Sequence, residues 1–341
     1  MKETSFKDLG KSLNEGNPGN CYLFYGEEKY LISLYENKMK DFIASRGETS
    51  VNVDVFWEKE SVSNILNALE TLPFLCDYRL VLVKNSGLFA TGRKDDSQAI
   101  ASGVKNLPDT SIIVFIEDNV DKRNALYKTV SALGGCIEFK RPSESELITW
   151  VVREMKAAGV AIEKGAAVHL IRTVGGNMEN LSKEMAKLAA YCSLKKTAVI
   201  TDIDHICTKG LETKVFGLVD ALATKNTGLA LQIFENLMEA KEAPIMILSL
   251  IARQFRLILG CAQNIGQTSS EIAAALGAPP FAIKECMKQA GNFSVKELTQ
   301  ALKDCLEADT NIKTGRITDK LALEVLIVKY GKNTQKEGVI I

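Results

Sequence analysis

Between the apolar run Cys21-Tyr22-Leu23-Phe24-Tyr25 and a helical pattern starting near Glu28, the sequence reads Gly26-Glu27-Glu28-Lys29-Tyr30-Leu31-Ile32-Ser33. A phosphate-binding loop would stand here, after a first strand and before a first helix. Such a loop has the form G-x-x-x-x-G-K-[ST]: glycines let backbone N–H groups wrap the phosphates, the lysine reaches the outer phosphates, and the hydroxyl holds Mg²⁺. In this chain the second glycine is Leu31 and the lysine is Ile32. Glu27 and Glu28 put negative charge where polyphosphate would sit, and Leu31 puts a Cβ where backbone must approach closely. Glu117-Asp118, after the strongest strand pattern in the chain, offers a carboxylate for Mg²⁺. Without the lysine and the glycine loop it has no phosphate to serve, and an acidic turn ahead of a helix is the simpler reading.

Other reaction chemistry is poorly supplied. The eight cysteines, at 21, 76, 136, 192, 207, 261, 286 and 305, form no C-x-x-C pair, and His169 and His205 are the only histidines. Metal-ligand spacing is missing, and no Ser/His or Cys/His hydrolase is advertised. The thiols read as reduced, mostly buried small hydrophobes. One stretch stands out for a different reason. Leu72-Pro73-Phe74-Leu75-Cys76 groups apolar residues between a helical pattern and the strand Arg79–Val83, where a polar turn would do. The group is either core at the sheet edge or an exposed apolar contact. Pro73 suits the first turn of a short helix, where its missing N–H costs nothing.

These residues depend on an alternating framework. Strand patterns at 21–26, 51–57, 79–83, 111–116 and 136–139 alternate with helical spacing at 28–44, 62–69 and 122–133. That order predicts a parallel sheet covered on both faces. Residues 87–107 are mixed, with a charged loop Arg93-Lys94-Asp95-Asp96. At Arg141-Pro142 the pattern changes. A capping box, Ser143 to Glu146, opens a helix that Gly159 ends. Short helices are expected to residue 210 with no convincing strand pair, then longer helices over 212–330, with a frayed end from 333 to 341. The expected fold is α/β followed by all-α: an α/β domain at 1–140, a small helical lid domain at 141–210 and a helical collar, or oligomerisation, domain at 211–341. The order is similar to an AAA+ ATPase core, its lid and an added helical module, an analogy of fold alone.

Composition sets limits on function. The chain has 341 residues, with 42 basic and 42 acidic side chains. Zero net charge argues against a freestanding nucleic-acid binder with a strong basic field, though not against a subunit of a larger assembly. Lys122, Arg123 and Lys128 read as a solvated face, Arg253 and Arg256 as snorkelling or pairing across a subunit interface, and Trp57 and Trp150 as core or domain-junction residues. The start of the chain is polar, without a signal-peptide pattern, and the longest apolar run, Ala243–Ala252, is broken by Pro244 and followed by Arg253. A soluble cytoplasmic protein with no membrane contact is expected.

Several segments together resemble the delta subunit of the bacterial DNA polymerase III clamp loader. They are Tyr22 to Leu31, Leu72-Pro73-Phe74-Leu75 with Arg79-Leu80-Val81, Asp121-Lys122-Arg123 with Leu126-Tyr127-Lys128, and a closing set. That set is Glu307-Ala308-Asp309, Ile312-Lys313-Thr314-Gly315 and Leu321-Ala322-Leu323-Glu324. The resemblance spans roughly residues 20–331. It implies an AAA+-like fold with a degenerate phosphate loop at Gly26, Glu27, Glu28, Leu31 and Ile32. It also implies no ATPase activity and no cofactor or metal. Leu72, Pro73, Phe74 and Leu75 would be the clamp-binding element, Phe74 and Leu75 entering a pocket on the ring-shaped sliding clamp (the beta subunit) to open it. The implied partners are the ATPase and delta-prime subunits of the loader, with primed DNA reached through the complex. Two other readings stand beside this one: an atypical nucleotide hydrolase using Glu117 or Asp118 with Mg²⁺, and a scaffold subunit held through its collar alone.

Overall fold

The computed structural model describes residues 6–278 and 280–332; the frayed end read at 333–341 and the turn position Pro279 lie outside the described residues. The chain forms two compact units, 1–141 and 142–341.

The first unit is built on five parallel strands in the order β2-β3-β4-β1-β5. After helix α1 (Phe6–Asn14) come β1 (Cys21–Tyr25), α2 (Lys29–Ala44), the single turn α3 (Thr49–Asn52), β2 (Val53–Trp57) and α4 (Val62–Glu70). Then follow β3 (Arg79–Lys84), α5 (Lys94–Gly103), β4 (Ser111–Glu117), α6 (Ala125–Ala132) and β5 (Cys136–Glu138). The central strands are apolar on both faces, as a two-sided parallel sheet requires; Leu80 to Val83 and Ile112 to Phe115 have no exposed surface. Cys21 pairs with Ile113 and Leu23 with Cys136, so β1 lies between β4 and β5. One face is filled by Leu23, Val81, Ile113 and Phe115 together with Ile65 and Leu69 of α4, Ile100 of α5 and Leu126 of α6. Phe139, just past β5, packs edge-on against Phe24, with Tyr35 of α2 5.8 Å away.

Two sequence expectations shift here. The charged loop at 93–96 is the start of α5: Asp95 and Asp96 occupy its first turn, where acidic side chains favour the helix dipole. The helix expected from Lys122 begins at Ala125, because the Asn124 side chain accepts the Leu126 N–H and caps it there. Trp57 departs from the core reading. It stands 59% exposed on the edge strand, with Lys84 Nζ 4.6 Å from its ring centroid. Trp150 is buried.

The second unit is helical: α7 (Glu144–Ala157), α8 (Lys164–Val174), α9 (Met178–Tyr191) and α10 (Ile200–Ile206) precede α11 (Leu211–Ala223), α12 (Thr227–Glu239) and α13 (Pro244–Gln263). The chain continues through α14 (Ser269–Leu276), α15 (Pro280–Ala290), α16 (Val295–Lys313) and α17 (Asp319–Gly331). The capping box at Ser143 and Glu146 is present. A strand pair occurs where none was expected: β6 (Ala161–Ile162) lies parallel to β7 (Thr197–Ala198). Two residues per strand leave no alternation to read in a sequence. Helix α13 is long and apolar enough to cross a membrane by length and composition, yet Ile247, Ile251, Phe255 and Ile258 are buried in the core of this unit. Its Arg253 pairs with Glu212 at 3.1 Å.

Candidate interaction site

The degenerate loop of the sequence is largely taken up by internal contacts. Leu31 and Ile32, at the positions of the missing glycine and lysine, are buried in the core. Gly26 has φ +127, and a Cβ there would lie 2.4 Å from Phe139 O. Its backbone neighbours tie the loop to the segment after β5, with Phe139 N–H donating to Tyr25 O (2.7 Å) and Glu28 N–H to Phe139 O (3.0 Å). Glu28 occupies the anion position at the head of α2 with its own carboxylate, which accepts the Tyr30 N–H at 3.2 Å. Burial pushes the Glu28 pKa up, while the Tyr30 N–H and Arg141 oppose the rise. Glu27 is exposed and 3.6 Å from Arg141. A phosphate arriving here would meet one carboxylate in its place and another beside it.

The acidic pair after β4 is also committed internally. Glu117 is 3% exposed and turns toward the loop after β3, accepting the Ser86 N–H (2.9 Å), the Gly87 N–H (3.2 Å) and the Ser86 hydroxyl. Burial raises its pKa, partly countered by those three donors. Asp118 pairs with Lys29. An open cavity of about 740 Å³ at the carboxyl ends of β2, β3 and β4 includes Glu117 and Asp118 in its wall, but none of residues 26–33 lines it. Among the described residues no cluster of three or more His, Cys, Asp or Glu could hold a metal. His169 is hydrogen-bonded to Asp204 at 2.7 Å, and the eight cysteines are free, all buried except the partly exposed Cys76.

The apolar group between α4 and β3 is outside the core. Leu72 is 73%, Phe74 62% and Leu75 84% exposed, whereas Pro73 is half-buried. Single exposed leucines are ordinary; here three large apolar side chains are exposed within four residues. The short helix expected at Pro73 is absent. In its place the chain bends, and Leu75 takes φ +48, left-handed backbone that disfavours a residue with a Cβ by about 1–2 kcal/mol. The physical reason lies 22 residues earlier in the chain. Asn52, fully buried at the entry to β2, takes the Phe74 N–H on Oδ1 (2.7 Å) and donates from Nδ2 to Phe74 O (2.9 Å). The Phe74 C=O taken by Asn52 is one that a helix starting at Pro73 would use, whereas the Phe74 N–H would lie in the first turn, without an intrahelical partner. The same Nδ2 donates to Glu48 O at 2.9 Å, so the carboxamide is fully engaged. On the other side the loop rests on Gly47, where a Cβ would fall 2.7 Å from Cys76 Cβ and 3.0 Å from Leu75 O. The side chains project while the backbone is held. Neither Asn52 nor Gly47 was found by sequence reasoning, because their significance is a long-range contact with no local pattern.

Fold and site together describe a protein with a parallel α/β unit and a helical unit, in which core residues fill the place of a phosphate loop. The chain belongs to the delta-subunit family of DNA polymerase III: the family model "DNA polymerase III, delta subunit" matches residues 22–140, and that for the "DNA polymerase III delta subunit, C-terminal domain" matches residues 212–330. Among curated relatives, DNA polymerase III subunit delta of Bacillus subtilis (strain 168) is 29% identical, over 96% of this chain and 98% of that protein. The probable DNA polymerase III subunit delta of Aquifex aeolicus (strain VF5) is 25% identical, over 74% and 73% respectively. A solved structure, the Bacillus subtilis DNA clamp loader delta protein YqeN, superposes with a TM-score of 0.70 at 27% identity, covering 96% of this chain and 99% of that one.

Proposed function

We propose that this chain is the clamp-loader subunit that grips and opens the sliding clamp, the beta subunit of the polymerase, for loading onto primed DNA. It does so without chemistry of its own, needs no cofactor, and works in the cytoplasm beside the ATPase and delta-prime subunits of the loader. DNA is reached through the complex. The observation that carries this reading is the exposed triad Leu72, Phe74 and Leu75 on a fixed backbone. A Phe and a Leu entering an apolar pocket contribute roughly 1.5–3 kcal/mol each, the scale of an interface anchor. The wedge opens the ring only by fitting its open shape better than its closed one, since a ligand shifts an equilibrium by its differential affinity. The buried Leu31 and Ile32, together with the inward-turned Glu117, support a role without nucleotide hydrolysis. Residues 141–210 serve as the lid and 211–341 as the collar that joins the other subunits. Helix α17 fits that role: Leu323, Ile327 and Tyr330 are buried while Leu321 and Val325 stay exposed.

The test is binding of purified chain to sliding clamp. Phe74→Ala with Leu75→Ala should weaken binding by more than about a hundredfold, since each 1.4 kcal/mol is a factor of ten, and leave Tm unchanged because both side chains already face solvent. Unaltered affinity would remove the wedge from the mechanism. Steady ATP turnover by the isolated chain, lost on Asp118→Ala, would favour the hydrolase reading instead.

A further inference from the structure

We infer that Asn52 is a positioning residue for the clamp-binding wedge: its buried carboxamide presets the Phe74 backbone, so that affinity for the clamp depends on a side chain the clamp cannot touch. The inference rests on the wedge reading and adds to it the device that shapes the wedge.

Asn52 acts as a stand-in for a neighbouring strand. In a sheet, a residue offers an N–H and a C=O to the next strand. Phe74 has no such strand beside it, and the Asn52 side chain supplies both partners, at 2.7 and 2.9 Å. The third bond, to Glu48 O, fixes the carboxamide so that it cannot rotate away from Phe74. Left-handed backbone at Leu75 persists only where the surroundings over-determine it. Asn52 on one side and the bare backbone of Gly47 on the other provide that determination. A loop of this composition without them would sample many conformations, each presenting Leu72, Phe74 and Leu75 differently. Binding would then have to order the loop, and affinity falls by the fraction of molecules in the competent shape. The wedge is exposed and apolar, so the loop gains nothing from burying it and needs an anchor drawn from the backbone. A buried asparagine with every polar atom engaged is such an anchor.

Asn52→Ala removes all three bonds and leaves Phe74 N–H without a partner. We expect the full-length variant to bind sliding clamp about tenfold or more weakly, the scale of one buried hydrogen-bonding group lost. Exchange of the Phe74 amide with deuterium should speed up by a similar factor. Ile113→Val, a mild change in the core of the same sheet, lowers Tm without touching the loop and should keep full affinity. If Asn52→Ala proves too unstable to purify, Gly47→Ala disturbs the same loop from its other side and should weaken binding likewise. Three results would overturn the inference. One is full affinity in the Asn52 variant, or in Gly47→Ala where that variant replaces it, while Phe74→Ala with Leu75→Ala abolishes binding; this leaves the wedge standing and removes the latch. Another is equal weakening by Ile113→Val, which makes the effect one of general stability. The last is full affinity in the Phe74 and Leu75 double variant, which removes the wedge and the latch together.

Discussion

Gly26 illustrates how one residue can have the look of a phosphate loop for a reason of packing. In the sequence it reads as the first glycine of a phosphate loop, followed by the wrong residues. In the structure its reason is packing: φ is +127, and a Cβ would collide with the Phe139 backbone, with O, C and N all within 2.9 Å. No side chain relieves such a clash, since the neighbour is main chain tied to Tyr25 and Glu28. Gly26→Ala should therefore destabilise the first unit by several kcal/mol, among the large effects reserved for backbone strain and core overpacking. Urea denaturation followed by circular dichroism measures it; a loss under about 1 kcal/mol would mean that the Phe139 segment yields easily. The departure from a phosphate-loop pattern was legible at Leu31 and Ile32, because a missing lysine needs no structure to be seen. Leu72, Phe74 and Leu75 were legible as an apolar group in an odd place. Whether they faced in or out was not, because the backbone that carries them is bonded to Asn52 and packed on Gly47, far from them in sequence.

At the scale of elements, the parallel sheet could be read because its strands are continuous β-branched and apolar runs, and the helices because they carry caps and stripes. What escaped were elements with no period to show, β6 and β7, and starts set by charge or by one cap, α5 and α6. Helix α17 adds a further case. Its charged residues Asp319, Lys320, Glu324 and Lys329 are spread around the helix and mark no clean apolar stripe, and a polar bolt ties it to α16. Asp304, whose side chain is 11% exposed, accepts from Lys329 (2.6 Å), Gln300 (2.9 Å) and the Tyr330 hydroxyl. Burial alone would raise the Asp304 pKa, but Lys329, Tyr330 and Gln300 outweigh it and hold the carboxyl below the usual range. A depressed carboxylate pKa stabilises the fold fully above the unfolded value of about 3.9, and that contribution is lost as pH falls through the lower folded value. Asp304→Asn should thus destabilise the fold at pH 7 by the scale of a lost charge-assisted hydrogen bond, about 1.5–3 kcal/mol, and so lower Tm. The gap from the unmodified chain should hold from pH 7 to pH 5 and close only below about pH 4. A gap that closes already near pH 6 would assign the effect to another group.

Across the whole molecule, the proposed function divides along the boundary between the two units. The wedge, its latch and the filled phosphate loop all belong to 1–141, which has its own sheet and its own core. The collar helices belong to 142–341, where Val215, Phe234, Ile251, Leu298 and Ile327 share one core. A unit with an independent core can fold alone. Residues 1–141, expressed by themselves, should unfold cooperatively and bind sliding clamp with an affinity comparable to that of the full chain, because every residue assigned to the grip is present. The same fragment should fail to join the ATPase and delta-prime subunits, since the helices proposed to make that contact are gone. Calorimetry of the fragment, clamp titration and gel filtration with the other subunits give the three readings. A folded fragment that no longer binds the clamp would show that gripping needs surface from the helical unit. The wedge would then be one contact among several, and the division of labour between sheet and collar would have to be abandoned.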